Sequence, residues 1–246
     1  MPPLPPLLDL VDLWRPAVVS SDLFDTVLLR DHSGEAGRLA AAARRGAHRI
    51  GADPRTVTRL RWAFHRTAYL GVAMTRPEGD TRLDTICTAV ADALGRDAAA
   101  ARALADTEVE VDAEHLRPNR ALLGLLQRAA ERAGAPLVAV SDMYYSADQL
   151  RTLLQTVLGT QPFARIHVSS EIGLTKHHGG LYDEVARREG VAPETILHVG
   201  DNHAVDVRNA RAASWAAVHV PRGRAHGLVR LAGRIVSAPS ALRRSA

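Results

Sequence analysis

Four short apolar runs of four or five residues, and a fifth of the same kind, recur between longer segments with helical periodicity. They cover residues 17–21, 137–141, 166–169, 196–199 and 216–220. Runs of this length without polar alternation are typical of strands buried on both faces, as in a parallel sheet covered by helices. The alternation of strand and helix predicts an α/β protein with a doubly wound parallel sheet.

The helices between these runs carry recognisable end signals. Residues 119–133 follow Pro118 and stop at Gly134, which favours a helix ended by glycine. Ser146 and Gln149 have the spacing of a capping box ahead of an amphipathic segment. These signals support the α/β interpretation.

Over a hundred residues separate the first predicted strand from the second, far more than one crossover needs. The excess is helical, with breaks at Gly, Pro and Asp. We predict a helical cap domain at 31–118, inserted into an α/β core formed by 1–30 and 119–246. Three large cap residues are interpreted as packing residues of helices rather than as a specificity pocket: Trp62, His65 and Tyr69.

Composition narrows the range of partners and environments. The 246 residues carry a formal charge of +4, but the arginines are spread over predicted helices and form no basic stripe, so no nucleic-acid partner is expected. No apolar run reaches the roughly 18 residues of a membrane span, and the opening segment lacks the basic start of a secretory signal. We expect a cytoplasmic protein with its single cysteine, Cys87, reduced. The oligomeric state does not follow from the sequence.

Lysine is used once. Of the 31 basic residues, 30 are arginine and the other is Lys176. A compact ammonium among so many guanidinium groups indicates a place that a planar guanidinium does not fit.

Polar residues gather where the predicted strands end. Ligands of an open α/β sheet bind beyond the carboxyl ends of its strands, so these residues are expected to meet. The ends carry Asp22, Asp25 and Thr26, then Ser141 and Asp142, then Lys176, and finally Gly200, Asp201, Asn202 and Asp206.

The segments SSDLFDT, VAVSD and GDNHAVD, together with Lys176, resemble the four motifs of the haloacid dehalogenase-like (HAD) hydrolase superfamily. The longer stretches SDLFDTVLLR, SDMYYS and HVGDN are similar to a subgroup of predicted HAD hydrolases sometimes found with glycosyltransferases. The resemblance covers about residues 17 to 221 and implies a Rossmann-like core with a cap after the first motif.

The resemblance also implies roles for these residues. The implied catalytic residues are Asp22 as nucleophile, Asp25 and Lys176. The implied phosphate-binding residues are Thr26, Ser141 and Asp142, and the implied Mg²⁺ site consists of Asp22, the carbonyl of Phe24, Asp201 and Asp206, supported by Asn202. Cations are required because a carboxylate that attacks a phosphate dianion meets a repulsion of about 1 to 4 kcal/mol at ~4 Å, and magnesium prefers oxygen ligands. Taken singly, Asp201 and Asn202 also fit an ordinary helix N-cap, and Asp25 and Thr26 also fit the start of a turn.

The chain departs from the phosphatase pattern two places after Asp22, where Phe24 replaces the usual second aspartate. Three explanations are open: Asp25 reaches the leaving group through an altered turn, the leaving group needs little help, or phosphate esters are not turned over. Dehalogenases of the superfamily also lack this aspartate, but they need no metal. The Gly200-Asp201 pair therefore favours phosphate over halide.

The resulting hypothesis is a magnesium-dependent phosphohydrolase for a small phosphorylated metabolite, such as a sugar phosphate. Two alternatives stay open. One is a phosphate-binding or regulatory module with little turnover, and the other is a phosphotransferase with a second acceptor.

Overall fold

The computed structural model describes residues 7–221, which divide into two compact units. The sheet unit contains residues 7–29, 68–83 and 118–221. The helical unit contains residues 30–67 and 84–117. Residues 222–246 of the predicted core lie outside the described residues.

Within residues 7–221, seven strands form two sheets. In chain order they are β1 (Val18–Ser21), β2 (Leu28–Arg30), β3 (Leu116–Pro118), β4 (Leu137–Ser141), β5 (Arg165–Val168), β6 (Ile196–Gly200) and β7 (Ala216–His219). Five of them make a parallel sheet in the order β5-β4-β1-β6-β7, while β2 and β3 pair separately. The chain runs outward from β1 to β5 and then returns to β6 on the other side of β1. The predicted α/β fold with a doubly wound parallel sheet is therefore confirmed.

Helices separate the strands of the parallel sheet. They are α1 (Leu7–Trp14), α2 (Glu35–Arg49), α3 (Pro54–Thr75), α4 (Leu83–Ala93), α5 (Ala98–Glu114), α6 (Arg120–Ala133), α7 (Ala147–Leu158), α8 (Ser169–Ile172), α9 (Gly180–Glu189) and α10 (Ala210–Ala212). Of these, α2 to α5 follow one another between β2 and β3. A π-helical stretch, His203–Asn209, precedes α10. Among the described residues, no helix combines the length and apolar character that crossing a bilayer would require.

The register of the central strands aligns their carboxyl ends. Ser21, the last residue of β1, is level with Ala139 of β4 and with Val199 of β6. The amide of Asp22 continues this pairing by donating to the Val199 carbonyl at 2.9 Å. Because β1 is central and the chain changes direction there, the edge beside Asp22 is the switch point at which ligands of such sheets bind.

The predicted helix ends of the sheet unit are present. Asn119 caps α6 through its side chain, and Gly134 ends that helix in the left-handed conformation at φ 63. At the start of α7 both bonds of the Ser146–Gln149 capping box are made. The sequence did not predict α1 or the pairing of β2 with β3.

The helical unit contains α2, α4, α5 and the first part of α3. Its helices α2 and α5 approach closely at Gly46, where an added Cβ would lie 2.8 Å from the side chain of Leu104. Arg61 and Glu108 form a buried two-bond ion pair, with N–O distances of 2.8 and 2.7 Å. Removal of one member of such a pair usually costs about 3–5 kcal/mol, because the other charge is left buried.

Residues 68–83 were predicted as part of the cap, yet they cluster with the sheet unit. Helical periodicity shows that a segment is a helix but not which unit it packs against. We retain the division into core and cap as a proposal, with 68–83 assigned to the core.

Candidate active site

Asp22 lies directly after β1 and is buried, with 8% of its surface exposed. The chain then turns sharply, because the Leu23 carbonyl accepts from the amides of Val27 and Leu28 at 3.0 and 2.8 Å. Within this turn Asp25 has φ 63. This left-handed conformation is disfavoured for most residues but is tolerated by Asp and Asn. The residues that follow Asp22, the candidate nucleophile, therefore form a tight turn.

Lys176 reaches Asp22 from a turn between α8 and α9. Its Nζ donates to Asp22 Oδ1 and to Asp206 Oδ1, both at 2.7 Å. The lysine side chain is buried, with 3% exposed. One ammonium thus serves two carboxylates, which suits its three rotatable donors.

The backbone of the lysine turn is fixed by Asp142, which follows β4, and by Asn209, which ends the π-helical stretch. Asp142 accepts from the amides of Lys176 and His177 at 2.7 and 3.0 Å. The side-chain amide of Asn209 donates to the carbonyls of the same two residues at 3.0 and 2.8 Å. The position of the ammonium therefore depends on Asp142 and Asn209.

The second acidic segment follows β6. Thr26 Oγ1 lies 3.0 Å from Asp22 Oδ2 and 3.2 Å from Asp201 Oδ1. Asp206 accepts from the amide of Asn202 at 3.0 Å through its other oxygen, Oδ2. Carboxylates from two distant parts of the chain thus converge on one point.

Gly200 permits this convergence. A Cβ added at position 200 would lie 2.4 Å from both Cβ and Cγ of Asp206. The side chain of Asp206, carried by the π-helical stretch, occupies the space that a side chain at position 200 would need. Glycine is required here for close approach rather than for an unusual φ.

Burial and charge shift the pKa values of the three central groups. Burial raises the pKa of Asp22 to about 7, because the opposing charge of Lys176 does not fully compensate. Burial alone would lower the pKa of Lys176, but the charges of Asp22 and Asp206 outweigh it and hold the pKa well above its ordinary value. For Asp206, burial is outweighed by Lys176, and its pKa lies below the ordinary value. The charge of Lys176 is therefore shared between Asp22 and Asp206.

The residues present fit a divalent cation. One carboxylate oxygen from each of Asp22, Asp201 and Asp206 lies within 4.8 Å of the others. The Thr26 hydroxyl has a single hydrogen, so it cannot satisfy Asp22 and Asp201 at the same time. Crowded carboxylate oxygens with too little positive charge are the ligand set that Mg²⁺ prefers. Both oxygens of Asp206 already have protein partners, which suits a group that orients the other ligands.

Ser141 ends β4, and its buried hydroxyl has no hydrogen-bond partner among the described residues. Buried polar groups are nearly always paired, so an orphan hydroxyl at the ligand-binding edge indicates an absent partner. Asp142, which the resemblance assigned to phosphate, is occupied by the amides of the lysine turn.

The remaining predicted residues take up defined places. Phe24 packs edge-on against Tyr145 with ring centroids 6.5 Å apart. Asn202 caps the π-helical stretch through bonds from the amides of Ala204 and Val205. Asp25 is buried within the turn after Asp22.

Sequence reasoning missed His198. It is fully buried in β6, its Nδ1 lies 2.8 Å from Ser20 Oγ, and its Nε2 lies 3.5 Å from Asp206 Oδ1. Burial lowers the pKa of this histidine. A histidine within an otherwise apolar predicted strand, ILHV, was a signal that could have found it.

The central strand of this doubly wound parallel sheet is followed by an aspartate that contacts a lysine and lies beside a second acidic loop. These features define a class, the α/β proteins of the HAD fold. The sequence matches the family described as haloacid dehalogenase-like hydrolase over residues 18–214. The chain belongs to this family, as the resemblance of its motifs implied.

Solved structures show the same fold. A 2-haloacid dehalogenase from Pseudomonas syringae is 21% identical, with a TM-score of 0.54 over 82% of this chain and 85% of that chain. A HAD family enzyme from Bacteroides thetaiotaomicron, in complex with magnesium and inorganic phosphate, is 12% identical, with a TM-score of 0.55 over 85% of this chain and 96% of that chain. At these identities the likeness concerns the fold alone.

Two curated relatives are more similar over a shorter length. A glyceraldehyde 3-phosphate phosphatase from Methanopyrus kandleri is 39% identical over 62 residues, which are 25% of this chain and 27% of that protein. A phosphoserine phosphatase from Thermus thermophilus is 43% identical over 61 residues, which are 25% of this chain and 24% of that protein. The matched part thus spans about a quarter of each relative.

Proposed function

We propose that the protein is a magnesium-dependent phosphohydrolase that acts on a small phosphorylated metabolite through an aspartyl-phosphate on Asp22. The observation that carries this proposal is the convergence of Lys176, Asp201 and Asp206 on Asp22. Magnesium, held by Asp22 and Asp201 with the Phe24 carbonyl, would supply positive charge for the phosphoryl oxygens.

The arrangement of charges favours a phosphate dianion over an organic halide. A halide leaves from a carbon that bears no dianion, so its displacement needs no cluster of metal-ligating carboxylates. Here three aspartates lie together, and the buried ammonium of Lys176 contacts two of them. That concentration of acidic groups is costly without a cation.

The proposed reaction has two displacements at phosphorus. Asp22 attacks, an Asp22–phosphorus bond forms, and the ester oxygen leaves with its bonding electron pair and gains a proton. Water then attacks the phosphorus and releases inorganic phosphate and free Asp22. Lys176 stabilises the charge in both steps, and the Ser141 hydroxyl, which has no partner within residues 7–221, donates to a phosphoryl oxygen.

The substrate class rests on the curated relatives. Their names state phosphatase activity toward glyceraldehyde 3-phosphate and phosphoserine, which are both small phosphorylated metabolites. A sugar phosphate is our specific proposal within this class.

A panel of phosphate monoesters, assayed for phosphate release with and without magnesium, tests the proposal. We expect release that requires magnesium and is lost in Asp22→Asn. Absence of release with every ester, or equal release by the variant, would refute it.

Asp25 is proposed as the group that protonates the leaving oxygen. Its left-handed turn also has a conformational role, and Asp25→Asn separates the two because asparagine tolerates the same backbone while lacking the acid. We expect this variant to lose roughly 10²- to 10⁴-fold with alkyl phosphates and much less with aryl phosphates, whose leaving groups need no proton. An equal loss with both substrate types would exclude the acid role.

A binding or regulatory module is the second candidate, favoured by the packing of the Phe24 ring against Tyr145 where phosphatases of the family carry an acid. It predicts magnesium-dependent phosphate binding by calorimetry without turnover.

Product analysis with added alcohols separates hydrolysis from the third candidate, phosphoryl transfer to a second acceptor.

A further inference from the structure

Asp80 lies in the segment between α3 and α4, and it is one of the few acidic residues that are buried outside the site, with 7% exposed. Its Oδ1 accepts from the amide of Thr81 at 2.7 Å, and its Oδ2 accepts from the hydroxyl of Ser169 at 2.6 Å. Interaction with Tyr69 also favours the charged form of this carboxylate and opposes the rise in its pKa. A carboxylate with these donors is well anchored.

Ser169 passes this anchoring on to the loop after β4. Its oxygen accepts from the amide of Met143 at 2.9 Å while its hydrogen points to Asp80. The carbonyl of Met143 lies 3.4 Å from the same hydroxyl and is the competing acceptor. Asp80 therefore decides the direction of the Ser169 hydrogen and leaves a lone pair for the Met143 amide.

Two further bonds hold the same loop. The amide of Leu83 donates to the carbonyl of Tyr144 at 2.7 Å, and the hydroxyl of Ser170 donates to the carbonyl of Tyr145 at 2.6 Å. Three consecutive loop residues are thus held by the segments 80–83 and 169–170. The loop begins directly after Ser141 and Asp142. Ser141 has the buried hydroxyl without a partner among the described residues, and Asp142 accepts from the amides of the lysine turn.

We propose that Asp80 is a positioning residue for phosphoryl transfer, which acts through Ser169 and the Met143 amide to hold the loop that directly follows Ser141 and Asp142. This proposal rests on the proposed function for its effect on catalysis. Its structural part concerns the loop alone.

The charges of Asp80 and Asp142 also support a connection between Asp80 and the loop after β4. Burial raises the pKa of Asp80, and the charge of Asp142 adds to this rise while the bonds from Ser169 and Thr81 oppose it. Asp80 thus lies close enough to Asp142 for their charges to interact.

The test compares Asp80→Ala, Ser169→Ala, their double variant and Asp80→Asn. An asparagine can still accept from Thr81 and can donate to the Ser169 oxygen, so the Met143 bond survives. We expect Asp80→Ala and Ser169→Ala each to lower kcat/KM by about 10- to 100-fold through misplacement of reacting groups, with a double variant no worse than either single variant. Asp80→Asn should lie closer to the wild type.

Asp97→Ala is the matched control, because it removes a carboxylate that caps α5, far along the chain from the loop, by accepting from the Ala100 amide. It should lower the melting temperature without changing kcat. Hydrogen exchange of a peptide spanning 141–146 supplies a readout that does not need turnover, and it should be faster in Asp80→Ala and unchanged in Asp97→Ala.

Unchanged exchange at 141–146, or additive losses in the double variant, would overturn the role of Asp80. If the wild type neither hydrolyses esters nor binds inorganic phosphate with magnesium, the proposed function fails instead, and the exchange experiment alone decides whether Asp80 holds the loop. If Asp80→Ala does not fold, Ser169→Ala and Asp80→Asn carry the same comparison.

Discussion

Gly200→Ala is expected to disable the site by steric displacement of Asp206. The new methyl group would lie 2.4 Å from Cβ and Cγ of Asp206, about 1 Å short of an ordinary 3.4 Å contact. It would also lie 2.6 Å from Oδ2, the atom that accepts from Asn202. Asp206 must therefore move, and its 2.7 Å bond to Lys176 must lengthen or break.

The size of the effect follows from these contacts. Overpacking a tight interior usually costs about 1–3 kcal/mol, and loss of one partner from a buried ion pair costs about 3–5 kcal/mol. Lys176 keeps Asp22 as a partner, so we expect a total of roughly 3 kcal/mol in the free energy of unfolding. Misplacement of the ammonium should lower kcat/KM by about 10²-fold.

Urea unfolding followed by circular dichroism measures the first quantity, and phosphate release measures the second. Gly124→Ala is the control, because position 124 lies within α6 and its nearest neighbour is the end of the Arg128 side chain at 3.5 Å. That variant should gain about 0.5–1 kcal/mol in stability with unchanged activity. Gly200→Ala with wild-type stability and activity would refute the steric argument.

Three further predictions concern single side chains. Lys176→Arg should lose roughly 10²-fold or more in kcat, because a larger, planar guanidinium does not fit the buried position from which the ammonium contacts two carboxylates at 2.7 Å. Kinetics comparable to the wild type would contradict this. Ser141→Ala should weaken phosphate binding about 10-fold in calorimetry. It should leave the melting temperature unchanged, since the hydroxyl has no partner among the described residues. A large loss of stability would indicate a structural role instead. Burial raises the pKa of the Cys87 thiol. Alkylation of this thiol should therefore be slow in the native protein and fast in urea. Rapid alkylation of the native protein would show that the helical unit opens.

The parallel sheet and the meeting of Asp22 with Lys176 could be predicted because both follow from simple rules. Short apolar runs identified the strands, and the rule that ligands bind at their carboxyl ends placed residues 154 positions apart beside each other. The end signals of α6 and α7 were similarly local, and both were found.

The features that could not be predicted from the sequence depend on contacts between particular atoms of residues that are distant in the chain. The resemblance assigned Asp142 to phosphate, but no periodicity could show that its carboxylate would cap the amides of the lysine turn. The requirement for Gly200 arises from the π-helical stretch that carries Asp206, and the bond between Asp80 and Ser169 arises from packing of a segment predicted to belong to the cap. Local sequence does not encode these contacts.

The central claim is that Asp22 becomes covalently phosphorylated during turnover. Rapid acid quenching during steady-state hydrolysis, followed by borohydride reduction and peptide mass spectrometry, tests it directly, because reduction converts an aspartyl-phosphate into homoserine. We predict homoserine at position 22 in the presence of substrate and magnesium, and none in their absence. Sustained phosphate release with homoserine at another aspartate, or at no position, would contradict the account.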